Sequence, residues 1–198
     1  MRNNVVNVGY DSTNYYVISN PGNAKLLVDC GWPGTMGKLN NQLKRKGIAP
    51  SEIRYLLVTH YHPDHAGLTQ ELRNTGVSLI LMETQPPSVQ KLKHIMKPDS
   101  GYVEIQLQGS SILKFKESRA YLVKIGIPGE VLSTPGHTPD GVSLLLDDGE
   151  AFTGDLTHEL QLEKNDLTSK QSWRSIWSRG IKTVCPAHGP AIHRQHDI

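Results

Sequence analysis

Residues 60–65 carry four potential metal ligands within six positions: His60-Tyr61-His62-Pro63-Asp64-His65. They directly follow residues 55–58, a continuous apolar run typical of a strand that is buried on both faces. Because His60 and His62 are two positions apart, an extended or turning backbone places both imidazoles on one side. Pro63 then bends the chain, so that the next two ligands can face a second point nearby. This segment predicts a metal site at the end of a buried strand.

Four more strand-like segments or turns end in potential ligands: Asp29 in Val-Asp-Cys-Gly, His137 in Pro-Gly-His-Thr, Asp155 in Thr-Gly-Asp and His188 in Pro-Ala-His-Gly. Imidazole and carboxylate are ligands that zinc accepts. Taken singly, these residues have ordinary structural explanations, because Asp64 suits a helix N-cap and Asp155 suits a turn. Taken together, they favour a metal site.

The composition is that of a globular protein. Of the 198 residues, 37% are hydrophobic and 20% are charged, unlike a disordered chain or a membrane protein. The formal net charge of +2 offers no sequence-wide attraction to nucleic acid, so we expect no such partner. No apolar run approaches the ~20 residues of a bilayer span, and no targeting segment is recognised. The predicted location is therefore cytoplasmic, with no membrane partner.

The cysteine content excludes a disulfide scaffold. There are only two cysteines, Cys30 and Cys185, and both are predicted to pack at strand ends rather than to bind metal.

Short strand and helix patterns follow one another along the chain and predict an α/β fold. Strand patterns occupy residues 5–8, 15–18, 25–28, 55–58, 77–81, 131–132, 142–146, 151–152 and 183–185. Helical spacing occurs within residues 36–43, 68–72, 86–95 and 173–177, and a turn is predicted at 20–23. Residues 105–107 alternate as in a strand, but the rest of residues 84–129 has no clear pattern. We expect one domain over residues 1–198, with a lid segment around 84–129.

The motifs resemble, in order and over nearly the whole chain, those of the metallo-β-lactamase-fold hydrolase superfamily. The resemblance implies a four-layer α/β/β/α sandwich, with the metals at one edge between the two sheets. It implies a site in three parts: His60, His62 and His137 around a first metal, Asp64, His65 and His188 around a second, and Asp155 between the two. It also implies that Asp29 orients the metal-binding loop by hydrogen bonds.

The expected function is a zinc hydrolase with two Zn²⁺ per chain. Two cations that share a water lower its pKa and present it as a bridging hydroxide, which attacks a carbonyl polarised by one metal. The expected substrate is a small molecule that contains an ester, a lactone or a thioester. Asp64 and Asp155 are the expected catalytic carboxylates. Iron or manganese suits the same ligand types.

Two other functions stay open at this point. Sulfur dioxygenases share the fold and motifs but use a single iron held by two histidines and one aspartate. A non-catalytic metal-binding regulator built on the same fold is the second.

Two residues are predicted to contact substrate. Trp32 lies in a Gly-Trp-Pro-Gly loop directly after Asp29. Acyl-homoserine lactonases of this fold commonly place a tyrosine beyond the bridging aspartate. Here Leu156, Thr157 and His158 follow Asp155, and His158 is the candidate side chain. No oligomeric state is predicted.

Overall fold

The computed structural model describes residues 3–20 and 25–194. The turn predicted at residues 20–23 lies largely outside this part of the chain. In the described part, no helix is both long enough and apolar enough to cross a lipid bilayer.

Within the described residues, the first sheet contains six strands that are neighbours in chain order: β1 (Asn4–Asn7), β2 (Tyr16–Ser19), β3 (Lys25–Val28), β4 (Ile53–Leu57), β5 (Ser78–Met82) and β6 (Ile112–Leu113). β1 to β3 pair antiparallel, whereas β3 to β6 pair parallel. Side chains of a strand alternate between faces. Leu27 therefore packs with the helices on one face, and Leu26 and Val28 face the second sheet. Burial on both faces explains the continuous apolar runs in the sequence.

The second sheet has the order β11-β10-β9-β8-β7, from these strands: β7 (Gly129–Ser133), β8 (Val142–Leu146), β9 (Glu150–Phe152), β10 (Thr183–Cys185) and β11 (Ile192–His193). β10 runs parallel to β9, and the other neighbours are antiparallel. Leu144 points into the core between the sheets, and Leu145 points to the outer helix.

The helices are α1 (Met36–Arg45), α2 (Pro63–Ala66), α3 (Thr69–Asn74), α4 (Pro86–Ile95), α5 (Phe115–Lys124) and α6 (Leu167–Trp177), with 3₁₀ turns at Pro50–Glu52 and Glu159–Gln161. Leu39 of α1, Leu72 of α3 and Leu92 of α4 cover the first sheet. Trp173 and Ile176 of α6 cover the second. These layers form an α/β/β/α sandwich, and the predicted fold class is confirmed.

Three local predictions need correction. The helix predicted through Leu68 and Leu72 is present as α3 but begins only at Thr69, after the short separate helix α2, which was not predicted. Residues 105–107 form no strand, although Ile105 is buried in the outer core. The segment 84–129 contains α4, β6 and α5, of which only α4 was predicted. Since β6 pairs with β5 and Leu122 of α5 enters the core between the sheets, much of this segment belongs to the sandwich itself. Its role as a lid stays a prediction.

The sheet topology brings five chain segments to one edge of the sandwich. Parallel strands end at the same edge of a sheet, and the potential ligands follow the carboxyl ends of β3, β4, β7, β9 and β10. A backbone hydrogen bond from Val142 N to Thr59 O, 2.9 Å long, ties the loop after β4 to the second sheet at this edge.

Candidate metal centre

The seven side chains that the sequence predicts as metal ligands lie together at this edge. Their ligand atoms form two groups, each within 4.8 Å: His60, His62, His137 and Asp155, and then Asp64, His65, Asp155 and His188. The same aspartate belongs to both groups. The division follows the one that the resemblance implies.

Asp155 directs one carboxylate oxygen to each group. Its Oδ1 lies 3.3 Å from Nε2 of both His65 and His188. Its Oδ2 lies 3.8 Å from His60 Nε2 and 3.6 Å from His137 Nε2. A single carboxylate is therefore placed to serve two cations at once.

The loop after β4 supplies four of the seven side chains from six consecutive residues. Pro63 occupies the first turn of α2, where its fixed φ is compatible with a helix and its missing N–H is not needed. The helical turn directs Asp64 and His65 into the second group, while the centroids of the His65 and His60 rings stay 4.1 Å apart. His62 Nδ1 and His137 Nε2 approach each other at 3.1 Å across the first group.

Asp29 holds this loop from beneath. Its Oδ1 accepts a hydrogen bond from Thr59 N at 2.7 Å, and its Oδ2 accepts one from Thr59 Oγ1 at 2.8 Å. The same Oδ2 lies 2.9 Å from His65 Nδ1, which leaves His65 Nε2 to face the second group. Asp29 has a φ of 59°, a left-handed conformation that aspartate tolerates better than most residues. The Thr-Gly-Asp motif also has a steric reason, since a Cβ at Gly154 would clash with the Thr59 side chain.

Asp140 is a buried residue that supports the site and that was not predicted from the sequence. Its Oδ2 accepts a hydrogen bond of 3.0 Å from the backbone N–H of Tyr61, the residue between the first two histidines. Asp140 is only 4% exposed. It fixes the His60–His62 backbone from the opposite sheet. The available signal was an aspartate three residues after His137, which also suits a turn.

The backbone of the loop between β1 and β2 orients His188. Its Nδ1 lies 2.8 Å from Ser12 O and donates a hydrogen bond to it, so that Nε2 points at the carboxylates. That Nε2 is 3.4 Å from Asp64 Oδ2.

Unsatisfied buried atoms indicate that the two groups fit cations. His60 Nε2, His65 Nε2 and Asp155 Oδ1 are buried and have no hydrogen-bond partner among the described residues. Buried polar atoms without a partner are rare in folded proteins. All three point into the cluster, where a bound cation would satisfy them. The chemistry of the donor set, imidazole nitrogen with carboxylate oxygen, fits a divalent metal.

The electrostatics of the cluster also favour cations. Burial disfavours a charged imidazole at His65, but the nearby carboxylates, Asp29 first among them, raise its pKa to about 12. Burial likewise opposes ionisation of Asp64, but the neighbouring His65, 3.3 Å away, outweighs it and lowers the pKa of Asp64 to about 2. At His60, burial and the neighbouring imidazoles hold the pKa well below its usual value. The carboxylates of the site therefore favour positive charge beside them, and the imidazole of His60 stays neutral with a lone pair to donate.

The other predicted residues have separate surroundings. Trp32 is half exposed in the loop after β3, and it does not line the cavity beside the cluster. His158 does line that cavity. Cys30 and Cys185 are buried, and neither belongs to the two groups.

Comparison with known proteins shows which families and proteins the chain is similar to. The family model described as "Metallo-beta-lactamase superfamily" matches residues 8–86. The chain is 29% identical over 187 residues to "Lactamase-like protein nscB" of Trichophyton rubrum, a match that covers 91% of this chain and 50% of that protein. It is 26% identical over 170 residues to an "N-acyl homoserine lactonase" of a Bacillus species, which covers 81% of this chain and 62% of that protein. The chain thus spans about half the length of the lactamase-like relatives.

A solved structure extends the match to the whole fold. It is that of a metallo-beta-lactamase family protein from Thermus thermophilus, with a TM-score of 0.70 and 22% identity over 97% of this chain and 74% of that one. The family-model match, the sequence relatives and the shared fold all agree with the resemblance that the motifs indicate.

Proposed function

We propose that this chain is a hydrolase that uses two divalent metal ions to cleave a small carbonyl substrate, namely an ester, a lactone or a thioester. The observation that carries the proposal is the position of Asp155 between two complete ligand groups, with one oxygen toward each. The relative named as a lactonase supports the ester and lactone branch.

The residues present suffice to hold two ions. The proposed ligands are His60, His62 and His137 for the first ion, Asp64, His65 and His188 for the second, and Asp155 for both. Two such cations would supply the Lewis acidity that polarises a carbonyl oxygen and lowers the pKa of a water molecule. The chain supplies the rest. Asp29 orients His65 by accepting a hydrogen bond from its Nδ1. Asp140 holds the backbone between the first two histidines.

The exposure of the ligands sets the direction from which a substrate arrives. His60 and His65 are almost fully buried. The side chains of His137 and His188 are 37% and 43% exposed. The cluster is therefore closed by the β4 loop and open between the loops of the second sheet. A substrate carbonyl enters on that side, where Asp155 lines the adjoining cavity, and Asp64 and Asp155 are the proposed catalytic carboxylates.

The metal identity rests on chemistry that several ions share. Histidine and aspartate accept zinc, iron and manganese, and we propose zinc. A single-iron dioxygenase needs one ligand group, whereas both groups here are complete, which supports two ions. A cytoplasmic location stays a prediction.

Metal analysis combined with hydrolysis assays tests this function. Protein purified without added metal should contain zinc, and the zinc-loaded form should hydrolyse p-nitrophenyl butyrate, an alkyl lactone or an acyl thioester, with activity lost on chelation. Asp155→Asn should lower that activity at least about a hundredfold. Asp11→Asn, an equivalent change at an exposed surface ion pair, should leave it unchanged. One iron per chain with oxygen uptake on a persulfide would favour the dioxygenase, and bound zinc without turnover would favour a regulator.

A further inference from the structure

A cavity of about 490 Å³ opens directly onto the candidate metal centre. His137, Asp155 and His188 form the wall that belongs to the centre. The rest of the wall is mainly apolar, with these side chains: Leu156, Trp173, Pro186, Pro190 and Ile192. The volume lies within the range of small-molecule binding sites, which are largely apolar with a few polar groups.

Away from the metal centre, the described wall of the cavity carries no fixed positive charge. Among the described residues that line it there is neither a lysine nor an arginine. A second cavity adjoins it, shares Thr157 and Gln161, and is lined by the acidic residues Glu163 and Asp166. An anionic group at this end of a substrate would meet carboxylates and no cation, so its desolvation would not be compensated.

Thr153 and His158 are polar side chains of this wall outside the metal centre. Thr153 is only 4% exposed and its Oγ1 is buried, so His158 is the one of the two that a ligand can reach. His158 Nδ1 accepts a hydrogen bond of 3.1 Å from Leu160 N. With Nδ1 as the acceptor, Nε2 carries a proton, and no residue in the described part of the chain accepts a hydrogen bond from it. Sites with one or two such groups in an apolar wall orient uncharged molecules.

We propose that this cavity binds the uncharged, apolar body of the substrate, with a hydrogen bond from His158. The inference rests on the proposed hydrolase function and narrows its substrate class. The preferred substrates are neutral esters or lactones with an apolar chain. Substrates that carry a carboxylate or a phosphate on that chain are disfavoured.

A matched pair of esters tests the substrate class with the zinc-loaded protein. The esters are p-nitrophenyl hexanoate and mono-p-nitrophenyl adipate, which have the same chain length and leaving group and differ in a terminal carboxylate. The kcat/KM of the hexanoate should exceed that of the adipate by at least about tenfold, mainly through KM. Equal values, or a preference for the adipate, would overturn the inference and leave the hydrolase function intact.

A charge variant in the cavity wall makes the test specific. Gln161→Arg adds a cation at the junction with the acidic cavity and should improve kcat/KM for the adipate about two- to fivefold. Gln171→Arg adds the same charge on α6 outside this cavity and should leave the ratio of the two esters unchanged. Identical effects of the two variants would contradict the assignment of the cavity.

A binding measurement separates the substrate class from catalysis. The indole N–H of Trp173 donates to Thr157 O at 2.8 Å, and the same ring lines the cavity. In NMR spectra of the zinc-loaded protein, the uncleavable ketone 2-octanone should shift this N–H resonance, and 7-oxooctanoate should shift it much less. If these shifts are observed but no ester is hydrolysed, the hydrolase function is refuted and the proposed selectivity of the cavity stands. Equal shifts, or none with 2-octanone, would overturn the inference even in an active hydrolase.

Discussion

The β4 loop and the three ligand loops of the second sheet build the same centre in different ways. The β4 loop brings four ligands in six consecutive residues and is fixed from two sides by Asp29 and Asp140. The second sheet brings His137, Asp155 and His188 on three separate loops, and its two histidines are substantially exposed. One half of the centre is therefore preformed by local structure, and the other half is assembled by strand packing.

The two halves of the centre differ in how much stability the fold loses when one interaction is removed. Side chains beneath the β4 loop are buried and bonded to backbone and to one another, so that each removal leaves an unsatisfied partner. The exposed ligands of the second sheet have water as an alternative partner. We expect the first half to contribute to stability without metal and the second half to depend on it.

Among single substitutions, the largest expected effect on the metal-free protein is that of Asp29→Ala. The change leaves the buried His65 without its nearest carboxylate and removes both acceptors of Thr59. We expect the free energy of unfolding to fall by about 3–5 kcal/mol. Urea unfolding measures it, with His188→Ala as the matched exposed variant, which should cost less than about 1 kcal/mol. Comparable losses for the two variants would remove the distinction between the two halves.

Metal removal should act chiefly on the second half of the centre. Chelation removes metal ions that bind only the folded protein, so the melting temperature should fall. When the free metal concentration is a thousand times Kd, its removal should lower the free energy of unfolding by about 4 kcal/mol per ion. The sandwich core does not depend on the site, so the protein should stay folded. Hydrogen exchange should accelerate more in residues 135–139 and 186–190 than in 59–65. An apo protein that is unfolded by circular dichroism would contradict a self-sufficient core.

Asp140→Ala should have a smaller effect, on the backbone between His60 and His62. The buried N–H of Tyr61 would lose its acceptor, at a cost of about 1–3 kcal/mol in unfolding free energy. Asp140→Asn keeps an acceptor oxygen and should recover most of the loss. If alanine and asparagine destabilise the metal-free protein equally, the hydrogen bond to Tyr61 is not what Asp140 contributes.

Much of the fold could be predicted from the sequence because both sheets are covered on both faces. Burial on both faces produces the continuous apolar runs at β4 and β8, and each ligand motif directly follows such a run or a turn. The four-layer arrangement came from the resemblance to a family rather than from the apolar pattern. The short strands β6 and β11 have two residues each, too few for any period to show.

What the sequence did not predict depends on contacts between distant residues. The partner of Asp140 is 79 positions away, so no local spacing indicates its role. The division between α2 and α3 is accompanied by a close approach, because a Cβ at Gly67 would clash with Pro33. The cavity wall combines residues from the β9, β10 and α6 regions, which meet only in the folded sandwich.

The most direct test of the two-ion centre is the metal content of two variants beside the wild type. With zinc supplied in excess and then removed by gel filtration, the wild type should retain about two ions per chain. Asp155→Ala removes the charge between two cations, which then repel each other, so it should retain at most about one ion. His188→Ala affects only the second group and should retain about one. If the wild type holds a single ion that His188→Ala leaves unchanged, or if both variants retain two, the assignment of the centre is wrong.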